Sequence, residues 1–109
     1  MDSSIVMKKF EIIVEIEHHE QLLELLESSG VRGYTVIKNA GGRGVRGIRN
    51  PHDVLLPYEN SVTIFACKEE LAQKVLKELQ PAMKGFGGMC LISDCLAQTN
   101  SDNREYALK

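Results

Sequence analysis

The segment Lys38–Asp53, KNAGGRGVRGIRNPHD, holds four glycines and three arginines, with no acidic residue before its last position. Glycine admits positive φ, and without a Cβ it lets backbone N–H groups come close to an anion. The guanidinium groups of Arg43, Arg46 and Arg49 offer paired donors that fit phosphate or carboxylate oxygens. The stretch Gly41–Gly47 can therefore cradle a phosphate, with Arg43 and Arg46 at its mouth. It can also be a solvated loop whose charges meet only water, and composition leaves both readings open. No Gly-Lys-Ser/Thr follows, so this is not a Walker loop. GRGVRG fits G-x-G-x-x-G by letter, yet no helical pattern follows it, so it is no dinucleotide fingerprint. A second glycine-rich stretch, KGFGG (Lys84–Gly88), reads on its residues alone as a tight turn.

Other chemistry-bearing residues are sparse. His18 and His19 are adjacent, so on a helix they point about 100° apart and do not share a metal, and His52 is distant in sequence. Cys90 and Cys95 would lie roughly 16 Å apart along a strand, beyond disulfide reach, and are read as thiols of the core or of a strand end. Glu11 and Glu15 are expected to face water. No Ser/His/Asp set or paired-carboxylate set appears, so no catalytic residue and no metal ligand is assigned.

At 109 residues the chain fits one domain. Hydrophobic residues make up 43%, enough for a core, but so small a domain buries only about two thirds of its unfolded surface and gains from a partner subunit. The net charge of -2 gives the molecule no general attraction for nucleic acid or acidic lipid, so any anion site is local. Three cysteines, with no leader pattern in Met1–Met7, lead us to expect reduced thiols and a cytoplasmic location. No segment reaches the ~20 apolar residues of a membrane span.

The elements that must position these residues follow from periodicity. Lys8–Glu17 reads as a strand, with Phe10, Ile12, Val14 and Ile16 on one face. His18–Gly30 reads as a helix with a Leu22, Leu25, Leu26 stripe, and Val31–Lys38 as a second strand. Ser61–Cys67 is a third strand, in which Val62, Ile64 and Ala66 are taken as the row opposite Thr63 and Phe65. Lys68–Gln80 is a second helix, which Pro81 should end or kink. Met89–Leu96 is a fourth strand. The intervening loop, about residues 39–60, shows no clear period, and loops that long are usually functional or disordered. This order predicts an α+β, ferredoxin-like βαββαβ plait over residues 1–97, with a four-stranded antiparallel sheet, followed by a polar tail at 98–109. Ile13, Thr35, Ile37, Phe65 and Ile92 are placed on faces opposite the main apolar rows. Both sheet faces are then partly apolar, which favours oligomerisation.

The strings GVRGYTVIKNAGGRGVRG, ENSVTIFACKEELAQKVLKEL and GFGGMCLISDC, in that order, resemble the PII signalling superfamily. The first is similar to its second strand running into the T-loop, and the last to its B-loop running into the fourth strand. The loop tip has no tyrosine-bearing modification motif, and the B-loop is not lysine-rich, so the resemblance favours the PII-like branch of bicarbonate-transporter and carboxysome-associated proteins. It implies a homotrimer with nucleotide-sized clefts between subunits. The effectors it implies are an adenine nucleotide (ADP, AMP, ATP or cyclic AMP), with bicarbonate as a possible second ligand and no tightly bound cofactor. Lys38, Gly41, Gly42, Arg43, Gly44 and Arg46 would hold the nucleotide, joined by Gly87 and Gly88 across a subunit boundary, with Phe86 packed near the base. The outer loop, including Ile48, Arg49, Val54 and Leu55, would engage a protein partner such as a membrane transporter or carboxysome-related protein; Val54–Leu56 could instead begin the third strand. The resemblance implies a regulator and no enzyme. The rival readings on the same plait are a CutA-like trimeric module, metal-binding or ligand-free, and an acylphosphatase-like hydrolase, which lacks its arginine here because Glu17 and His18 occupy the first strand's end.

Overall fold

The computed structural model describes residues 4–44, 47–49 and 59–98, with backbone alone for 42–44 and 47–49. Strand β1 (Ser4–Glu15) passes through a 3-10 turn (Ile16–His18) into helix α1 (His19–Ser29). Strand β2 (Thr35–Ala40), short strands β3 (Gly42–Gly44) and β4 (Gly47–Arg49), strand β5 (Asn60–Cys67), helix α2 (Glu69–Phe86) and strand β6 (Met89–Gln98) follow. The sheet order is β2-β5-β1-β6, and every neighbouring pair is antiparallel. Residues of both helices join β1 and β5 in one buried cluster, giving the expected ferredoxin-like plait. No helix among the described residues is long and apolar enough to cross a membrane.

Local chemistry sets the helix ends. At Gly30, φ is 109°, and Val31 N–H reaches back to the Leu26 carbonyl at 3.0 Å. This left-handed cap turns the chain so that Val31 enters the core. The expected end of α2 at Pro81 is corrected: the helix runs through to Phe86. Proline removes the N–H that would bond to the Lys77 carbonyl, but Lys77 and Pro81 are both exposed, so water can satisfy that group. Continuing the helix half-buries Ala82 and Met83 and buries Phe86. Lys84, Gly85 and Phe86 are therefore helical, and only Gly87 and Gly88 remain in the predicted turn.

Register decides which apolar row faces the helices, because directly paired residues share a face. Phe10 lies opposite Phe65 and Ile92, and Ile12 opposite Thr63 and Cys90. The Phe10 and Phe65 rings stack at 4.7 Å. Phe65 and Ile92 thus lie on the helix side, contrary to expectation, while Val62, Ile64 and Ala66 take the open face with Ile13, Thr35 and Ile37. Either row of β5 is apolar enough to be core, and only pairing with β1 distinguishes them. The stretch expected to lack period contains the β3–β4 ribbon; three of its six residues are glycine, which leaves no apolar alternation to read. Strand β6 runs one residue into the predicted tail, where Gln98 pairs with Ser4.

Candidate functional site

The long loop and the α2–β6 turn meet the sheet at the same end. Asn60 of β5 is opposite Ala40 of β2 on one side and Glu15 of β1 on the other, and Ile13 of β1 is opposite Met89 of β6. A bond from Ile16 N–H to the Glu59 carbonyl (2.9 Å) ties the end of β1 to the loop's exit. Gly41 follows β2, and Gly88 precedes β6. These are the two outer strands, three inter-strand spacings or roughly 14 Å apart. One chain therefore does not bring the two glycine segments onto a single phosphate; two chains side by side could.

At the loop base, the β2–β5 register shifts between Ile37 and Ala40, and Asn39 takes φ 59°, a left-handed conformation that asparagine tolerates better than most residues. Val36 opposes Thr63 and Ile37 opposes Val62, so Lys38 comes level with Ser61 at the shift. The Lys38 side chain is exposed and Gly41 is exposed beside it. Under this point His19, the first residue of α1, places Nδ1 2.9 Å from Ser61 Oγ, and both residues are buried. Burial holds the His19 pKa below the ordinary imidazole value; Lys38 lowers it further, and Glu20 partly opposes this. The charge of Lys38 is thus felt at His19. Sequence reading missed this pair, since the two residues are 42 positions apart and no local pattern links them.

The α2–β6 turn departs from the expected roles. The Gly87 N–H is taken by the Met83 carbonyl at 3.2 Å as the left-handed helix cap. A Cβ on Gly88 would stand 2.0 Å from the Ile13 carbonyl oxygen, so close packing alone requires glycine there. Phe86 is buried in the core and stacks on His18 at 5.5 Å.

In the loop, the described backbone pairs Gly42 with Arg49, Arg43 with Ile48, and Gly44 with Gly47. This sets the Arg43 and Arg49 positions on one short ribbon directly beyond β2. Arg46, Val54 and Leu55 lie outside the described residues.

Glu15, expected to face water, is buried. Its carboxylate, that of Glu17 and a His18 ring nitrogen lie within 4.8 Å of one another. Within this group Glu17 contacts His18 at 3.8 Å. Cys67, Cys90 and Cys95 form no disulfide among the described residues, and burial pushes the Cys90 thiol pKa up.

A ferredoxin-like plait with a glycine- and arginine-rich loop between β2 and β5 is the layout of a PII-like chain. The family model described as Nitrogen regulatory protein P-II matches residues 7–97, and the chain belongs to that family. It is 32% identical over 79 residues to UPF0166 protein MJ1524 of Methanocaldococcus jannaschii, spanning 71% of each chain. It is similar to CPII, a nitrogen regulatory PII-like protein from Thiomonas intermedia K12 whose structure is bound to ADP, AMP and bicarbonate. The TM-score is 0.81 and the identity 30%, over 91% of this chain and 94% of that one. The fold also matches a putative PII-like signaling protein from Thermus thermophilus, with a TM-score of 0.74 and 23% identity, over 97% of this chain and 99% of the other.

Proposed function

We propose that this protein is a cytoplasmic PII-like regulator, not an enzyme, that binds an adenine nucleotide, with or without bicarbonate, in clefts between the subunits of a homotrimer. The observation that carries this reading is the placement of the glycine segments: same end of the sheet, opposite edges, so that a cleft holding both needs two copies. Lys38 and Gly41 would lie at the mouth on one copy, with Gly42, Arg43 and Gly44 in the ribbon beyond, Arg46 would add its charge from the same loop, and Gly88 would belong to the next copy. CPII, at 30% identity, was found with ADP, AMP and bicarbonate, which gives the ligand class. The mechanism is a population shift: nucleotide favours the loop conformer in which the arginines complete its phosphate cage. The outer loop, with Ile48, Arg49, Val54 and Leu55, then presents or withdraws a surface for a protein partner, a transporter or carboxysome-related protein by the family resemblance. In this reading residues 1–97 form the domain, 39–60 the T-loop and the rest a tail.

The test is calorimetric titration with ADP, AMP, ATP and cyclic AMP, each with and without bicarbonate. At least one nucleotide should bind, and Arg43→Ala should weaken it by more than tenfold, or about 1.4 kcal/mol. Unchanged affinity in that variant counts against the phosphate cage. Thermal stabilisation by divalent metal alone would move the assignment to a metal-binding module.

A further inference from the structure

We propose that His19 is the proton partner of an anion held at the base of the long loop: when a phosphate or carboxylate seats against Lys38, His19 takes up a proton from solvent, and the anion binds more tightly as the medium acidifies. This rests on the reading above that Lys38 borders the anion cleft.

Three features of the site carry it. The first is placement. Lys38 is level with Ser61 at the register shift, and Ser61 Oγ is 2.9 Å from His19 Nδ1, so the exposed cation and the buried imidazole share one β5 residue as neighbour. The second is the kind of partner. A serine hydroxyl both donates and accepts, so it can donate to a neutral Nδ1 and turn to accept from a protonated one. The pair survives protonation, which a backbone amide partner at Nδ1 would not allow. The third is the charge balance. The groups at this end of α1 are Lys38 from β2, the Ser61 hydroxyl from β5, Glu15 from β1, Glu17 and His18 from the turn, and Glu20 from α1 itself. Of the charged ones, Lys38 opposes a proton on His19 and Glu20 favours it. An anion on Lys38 offsets the opposing charge, while burial and Glu20 stay as they are. The balance therefore moves toward the protonated ring.

The sign follows by linkage. The free chain holds His19 below the ordinary imidazole value, and the anion complex holds it higher. Between those two titrations the complex carries more proton than the free protein. Affinity rises there as pH falls, by at most about tenfold per pH unit for one linked proton.

The experiment has two arms. Calorimetry of ADP binding at pH 6.5, in buffers of different ionisation enthalpy, counts protons taken up. Wild type should take up more than His19→Gln, and the difference cancels the protons that belong to ADP itself. In parallel, the His19 ring proton signal of the wild type, followed by NMR against pH, should titrate at a higher pH with ADP than without. That upward shift should vanish in Lys38→Gln. The NMR arm needs no His19 variant for its main readout, so a variant that misfolds leaves the idea decidable. Equal proton counts, or an unmoved His19 titration in a chain that does bind ADP, overturns the inference alone. No binding heat for any adenine nucleotide, with or without bicarbonate, removes the ligand reading and the inference with it.

Discussion

Thr63 shows what a single side chain costs in this core. It sits on β5 opposite Ile12, fully buried, and its hydroxyl has no hydrogen-bond partner among the described residues. Its neighbour on the same row, Ser61, is satisfied by His19. An orphaned buried hydroxyl costs about 1–3 kcal/mol, and valine keeps the branched shape while removing it. Thr63→Val should therefore stabilise the fold by about 1 kcal/mol, read as a higher urea midpoint at unchanged slope; a lower midpoint would mean that the hydroxyl has a partner in solution. At this scale the sequence was only partly legible. Its glycines and arginines pointed to anion chemistry through residue type alone. The separate reasons for Gly87, a helix cap, and Gly88, a carbonyl 2.0 Å from any Cβ, depend on what α2 and β1 do there. The His19–Ser61 bond was invisible because it is made by the fold and by no local pattern.

The elements were more legible than their ends. Leucine spacing gave α1 and α2, and β-branched runs gave the strands, because burial of one face imposes period on sequence. Pro81 misled, since a local rule about a missing N–H met a helix whose later residues gain burial against the core. The β5 faces misled for a different reason: both rows of the strand carry apolar residues, and pairing to β1 selects the inner row. The helix result is testable. Pro81→Ala restores the bond to the Lys77 carbonyl and removes a residue that disfavours helix by about 3 kcal/mol. Loss of proline's restraint on the unfolded chain offsets up to about 1 kcal/mol, and the native helix already accommodates the ring. A net gain of about 1–2 kcal/mol by urea unfolding is expected. A loss instead would show that the ring's own packing holds this turn of α2.

At the scale of the whole molecule, no helix among the described residues covers the second sheet face. On it Ile13 is opposite Val62 and Met89, Ile64 and Leu91 flank Glu11, and Ile37 opposes Val62. Ile37, Met89 and Leu91 are 50%, 56% and 47% exposed, an apolar surface that a small domain gains by covering. Covering Leu91 in a neighbouring copy would contribute roughly 1.5–3 kcal/mol per subunit. A glutamate in its place would set a second carboxylate opposite Glu11 and carry an unpaired charge into the interface, at a cost of several kcal/mol. The wild type is therefore expected at about three times the 12.2 kDa chain mass by light scattering, and Leu91→Glu at the mass of one chain with its far-ultraviolet spectrum kept. Because the glycine segments of one chain lie on opposite edges of the sheet, the same variant should lose nucleotide binding without any change to a proposed ligand-contacting residue. A Leu91→Glu protein that stays assembled and binds ADP normally would mean that copies meet elsewhere. A dispersed protein that still binds ADP would mean that one chain suffices for the cleft.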